Sequence, residues 1–111
     1  MSPAAGPAVE LADTASRTAR DHADVVDLDG GLAGEFATYG LGRRVPGVRV
    51  DREPDGRWTV RLRLVAKYGR PLPDIGDEVR ARVGDALATE HLDAVVQVHV
   101  ADIAPREGPT T

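Results

Sequence analysis

Three histidines, two aspartates two positions apart and a series of arginines on alternate positions are the groups in this chain that could act on another molecule. Zinc sites draw two ligands from one turn of helix or one tight loop, so that short spacing preorganises half the coordination sphere. His22, His91 and His99 offer no such spacing, and the local patterns put them at a helix end, in a loop and on a strand face. Asp27 and Asp29, just before Gly30, resemble the opening of a calcium loop. The third acidic ligand and the closing glutamate are missing from their places, so a solvated turn is the better reading. No metal and no cofactor is expected.

Nucleophilic chemistry has equally little to stand on. The chain has no cysteine, and Ser2 and Ser16 are its only serines, one near the terminus and one on a weakly amphipathic helix. Neither has a histidine and carboxylate placed to activate it. The glycines of GGLAGEFATYGLGRR do not form a phosphate cradle, because no Lys-Ser/Thr follows them and the next segment reads as a strand. They are expected to serve turns, and enzymatic activity is not expected.

The arginines carry more. In RWTVRLRLVAKY (57 to 68), Trp58, Val60, Leu62, Leu64, Ala66 and Tyr68 alternate with Arg57, Thr59, Arg61, Arg63 and Lys67. A period of two belongs to a half-buried strand, with the aromatics on the buried side and the cations on the open one. Arg57, Arg61, Arg63 and Lys67, extended by His99 on a neighbouring strand, form a candidate partner-binding stripe. Such a row is either a solvated face or a docking surface for an acidic segment or anionic headgroups. Reversing Arg61 and Arg63 on an open face is expected to change stability little. RNA is the weaker partner, because base-stacking aromatics are not on that face.

The elements that position this stripe follow from the surrounding patterns. Val48 and Val50 alternate with Arg49 and Asp51, and EPDG (53 to 56) supplies a turn, so an antiparallel hairpin is expected. Leu72, Ile75, Val79, Val83 and Ala86 recur at helical spacing, with Pro73 and Asp74 suited to a first turn, giving a main helix that ends near Thr89. Val96, Val98 and Val100 then give a strand that pairs in parallel with an earlier one. Leu11, Ala15 and Ala19 mark a weaker helix over 8 to 23. DVVDL (24 to 28) and GEFATYG are short strand candidates. The fold class is α+β: a small mixed sheet of about four to five strands, a hairpin followed by a β-α-β crossover, packed on one main helix with the weaker N-terminal helix beside it. Residues 8 to 103 form one domain, between flexible tails over 1 to 7 and 104 to 111.

Composition agrees with one thin core. The 111 residues are 41% apolar but only 4% aromatic, and the net charge is −4, which gives no overall attraction to nucleic acid or anionic lipid. The N-terminal MSPAAGPAVE has neither a basic start nor an apolar run, and a cytoplasmic address is expected.

The pieces GVRV (47 to 50), the alternating strand ending Tyr68-Gly69, L-P-x-I-x-x-x-V-x-x-x-V (72 to 83) and V-x-V-H-V-A-D-I (96 to 103) together resemble the alkaline shock protein family of envelope stress response proteins, over about residues 8 to 103. The chain departs from that pattern at His22 to Leu28, where a Pro-Gly-Val turn is usual. The resemblance implies an α+β domain without established enzymatic activity, gathered at the inner face of the cytoplasmic membrane through a small membrane-anchoring protein, with a role in envelope homeostasis. The expected partners are that anchor and further copies of the chain, with no specific nucleic acid and no insertion into the bilayer. A nucleic-acid-binding module using the basic sheet face is the alternative.

Overall fold

The computed structural model describes residues 6–40 and 42–105. Its elements, in chain order, are α1 (Gly6–Arg20), β1 (Val25–Leu28), β2 (Ala37–Gly40), β3 (Arg43–Pro46), β4 (Val48–Arg52), β5 (Trp58–Ala66), α2 (Leu72–Thr89) and β6 (Ala94–Ile103). This is the small α+β architecture that the periodicities predict. Most of the expected tails falls on residues 1–5 and 106–111, outside the described residues, but α1 already begins at Gly6 and ends three residues short of the expected limit.

β5 is the centre of the sheet. On one side it pairs in parallel with β6, from Trp58↔Ala94 to Ala66↔Ile103. Its other side is shared end to end by two antiparallel strands. β4 covers the first half, from Arg52↔Trp58 to Val48↔Leu62, and β1 covers the second, from Leu28↔Leu64 to Val25↔Ala66. The β4–β5 connection is the expected turn: Gly56 N–H donates to Glu53 O and adopts φ +88°, open to glycine at no steric cost. β2 and β3 form a separate two-stranded sheet. β3 has no counterpart among the expected strands: the sequence RRVP has one buried apolar residue, Val45, and so no alternation to announce a strand.

Both helices cover the same face. α1 lies over β4, β2 and β1, α2 lies over β6, and the two helices pack on each other. The alanines of α1 (Ala12, Ala15, Ala19) are fully buried beside Leu11, and their small size lets the backbone approach the sheet closely. α2 contributes Ile75, Val79, Val83 and Leu87, each four residues from the last, to the core cluster that also holds Val60, Leu62 and Leu64 of β5. Each fully buried Leu, Ile or Val contributes roughly 1.5–3 kcal/mol. Leu87 takes the innermost place at the helix end, where Ala86 was expected.

α2 ends in a Schellman motif. Leu92 N–H donates to Leu87 O at 2.8 Å and His91 N–H donates to Ala88 O at 3.0 Å. His91 occupies the left-handed position at φ 61°, where glycine is the usual residue.

Two aromatic placements differ from expectation. Trp58 begins the buried register, yet it is only half-buried against the core edge, with the Arg52 guanidinium 5.0 Å from its ring centre. Tyr68 lies beyond the end of β5 in a turn and is 63% exposed. The alternation runs to Tyr68 in the sequence, but strand pairing stops at Ala66, and the chain must turn there to start α2.

Candidate docking surfaces

The outer sheet face holds Arg61, Arg63 and His99 together, since Arg61 lies opposite Gln97 and Arg63 opposite His99 in the β5–β6 register. Arg57 and Lys67 fall just outside β5, at opposite ends, and are exposed. The five expected residues are therefore a central trio with two outliers.

The central arginines are already paired within the chain. Arg61 bonds Asp51 of β4 and Gln97 of β6, and Arg49 lies 3.9 Å from the same Asp51. Arg63 donates to Asp29 at 3.1 Å, and its guanidinium stands 5.4 Å from the Phe36 ring centre. The Gly31 N–H, with the Arg63 guanidinium after it, holds the Asp29 carboxyl below the usual carboxylate range. Arg63 is only 34% exposed, so reversing its charge would set two carboxylates against each other in a half-buried site. The expectation of a neutral effect fails for this residue, because its partner arrives from 34 positions away. Arg57, Lys67 and His99 have no side-chain partner among the described residues.

Asp27, the other half of the calcium-like pair, bonds Arg20 at 2.7 Å and the Leu28 N–H at 2.8 Å. Asp27 thus stands within β1 and Asp29 just past its end, so the expected solvated turn is instead a strand end whose carboxylates bond the chain's own cations and amides. No group of three or more metal-ligating side chains occurs among the described residues.

A second polar cluster links the helices. His22, 3% exposed after the end of α1, accepts the Asp24 N–H through Nδ1, so Nε2 carries the proton that it donates to Glu78 Oε1 at 2.8 Å. Arg70 grips Glu78 with both terminal nitrogens and reaches Asp24 at 2.7 Å. The Arg70 fork first, and the His22 hydrogen bond second, bring the Glu78 carboxyl down to about 2. Both ring nitrogens of His22 are occupied, which suits a structural tie rather than a base or a ligand. Beside it opens a cleft of about 840 Å³ at the end of the sheet, bordered by Val26, Lys67, Tyr68 and Pro105.

The third surface is one that the charge pattern did not reveal. β6 is paired only with β5 among the described residues, so its other side is a free edge. Residues 94 to 101 (AVVQVHVA) contain no Lys, Arg, Asp, Glu or Pro, the groups that usually guard an edge. Its inward valines Val96, Val98 and Val100 are only half-buried, and outward Val95 is 37% exposed. The signal in the sequence is a run of eight strand residues, 94 to 101, without charge.

No family model, curated protein or solved structure matches the chain. No helix among the described residues is long and apolar enough to cross a membrane.

Proposed function

We propose that this protein is a non-enzymatic scaffolding module of the envelope stress response, working at the inner face of the cytoplasmic membrane through a small membrane-anchored protein. The observation that supports this most is the contrast between its two open surfaces. The arginines of the sheet face pair with Asp51 and Asp29, whereas the β6 edge carries no charge over residues 94 to 101, the strand's one charged residue, Asp102, lying past the bulge near its end. Nucleic acids and anionic lipids are bound chiefly by unpaired cations, and protein segments by apolar and backbone contact. The balance favours a protein partner over the nucleic-acid alternative. The resemblance to the alkaline shock protein family points the same way and supplies the envelope setting.

The test uses the tagged full chain in cells that contain its native partners. It is expected in the membrane fraction, and the purified chain is expected to ignore protein-free vesicles of anionic phospholipid. A chain that stays in the soluble fraction, or that binds bare vesicles directly, would sink this reading.

A further inference from the structure

We propose that the free edge of β6 accepts an extended, uncharged polypeptide segment as an added strand, seated in the groove between β6 and α2. This rests on the scaffolding reading and names the kind of partner its open edge takes.

The groove is lined by Leu72, Gly76 and Arg80 of α2 and by Val98, His99 and Val100 of β6. His99 points outward while Val98 and Val100 point inward, so a groove touching all three wraps the edge of the strand. A strand edge presents N–H and C=O groups at two-residue spacing, and only another extended backbone matches that repeat. The neighbouring side chains add no charge over residues 94 to 101, and the groove's own Arg80 is bonded to Asp77 at 3.2 Å. An alternating segment rich in small and β-branched residues fits this lining, and a charged one meets no net opposite charge, since the groove's two charged residues, Arg80 and Asp77, pair with each other.

The position of α2 decides between a single strand and a second folded copy. Two β6 strands paired about a two-fold axis normal to the sheet would be about 4.8 Å apart. α2 lies over β6, so its two copies would be brought almost as close, whereas packed helices need roughly 8–10 Å between axes. Symmetric pairing therefore drives helix into helix, but a lone extended segment fits beneath the overhang. Gly76 helps keep the space open: a β-carbon there would meet only Val98 Cγ1, at 3.9 Å.

The probe is a fluorescein-labelled peptide with the sequence of residues 94 to 101, followed by a Gly-Lys-Lys solubilising tail. It is an uncharged strand former that lacks α2. Titrated with the full chain, it should give saturable anisotropy, and hydrogen exchange should slow at β6 amides. The same peptide with Pro in place of Gln97 cannot complete a ladder and should bind at least tenfold more weakly. Gly76→Leu should weaken the parent peptide at least tenfold while circular dichroism stays native, and Gly76→Ala, which adds one methyl in open space, should retain binding. No binding by the parent peptide, equal binding by the proline peptide, or unchanged affinity in Gly76→Leu would each overturn the proposal. So would a full chain that sediments as a dimer and becomes monomeric on Gly76→Leu, since a second copy would then own the edge. Membrane recruitment of a chain that fails the peptide assay would refute this inference alone and leave the scaffolding reading standing.

Discussion

Gly47 lies against Leu28 where β4 and β1 meet end to end along one side of β5. A β-carbon on Gly47 would come inside 3.0 Å of Leu28 Cβ and within 3.1 Å of Asp29 N, and the residue has φ +80°. The joint is closed by Arg63 of β5, whose N–H donates to Gly47 O at 3.0 Å and whose O accepts the Asp29 N–H at 2.9 Å. One central residue thus hands the ladder from one partner strand to the other.

Gly47→Ala should therefore carry two costs: about 1–2 kcal/mol for a left-handed alanine and about 1–3 kcal/mol for the overlap with β1. Gly56→Ala has a similar φ but nothing within 4 Å, so only the first cost applies. Urea melts of the two variants should differ by the overlap contribution. Equal losses would mean that β1 shifts freely and that the joint is soft.

His91→Gly should stabilise the protein. The Schellman geometry holds His91 at positive φ, and glycine relieves about 1 kcal/mol there, less the entropy it adds to the unfolded chain. A rise of a few degrees in Tm is expected. A fall would show that the imidazole contributes more than its backbone costs.

Trp58→Ala should cost about 1–3 kcal/mol, below the ~3–5 kcal/mol of a fully enclosed ring, because Trp58 is half-exposed and sits at the first position of β5. Far-ultraviolet circular dichroism is the proper readout, since Trp58 is the only tryptophan. A loss above ~4 kcal/mol would mean that the ring is covered in solution, by a neighbouring copy or by chain beyond the described residues.

Much of the scaffold is legible in the sequence because it is local. Strict alternation places β4, β5 and β6, the four-residue recurrence Ile75, Val79, Val83 places α2, and Glu53 to Gly56 writes its own turn. What the sequence hides is joined at long range. Asp29 and Arg63 meet only because β1 and β4 share one side of β5, and that arrangement converts an apparent row of free cations into ion pairs. β3 is hidden for a related reason: Arg43 leaves the strand to bond Asp13 of α1, a tertiary contact without local pattern. The open edge of β6 is visible as a missing charge, a weaker signal than a present one.

The remaining prediction concerns acid. His22 and Glu78 are 56 positions apart, yet with Arg70 and Asp24 they tie the end of α1 to the first half of α2. The Glu78 carboxyl is lowered to about 2 from an ordinary 4.5, so the folded state holds its proton less tightly than the unfolded chain does. A depressed carboxyl contributes stability that is fully present above pH 4.5 and is lost as pH falls from there toward 2. Because Glu78 is 40% exposed, solvent and salt screen its pairing, and the loss should shrink as ionic strength rises. Glu78→Gln keeps the size and a hydrogen-bonding oxygen but removes the titration. Denaturant melts between pH 6 and pH 2 should show wild type losing stability more steeply than the variant below pH 4.5, with the two curves converging near pH 2. Parallel curves through that window would mean that the Arg70 fork is not closed in solution and that apolar contact and the Thr14–Glu90 hydrogen bond hold the two helices without it.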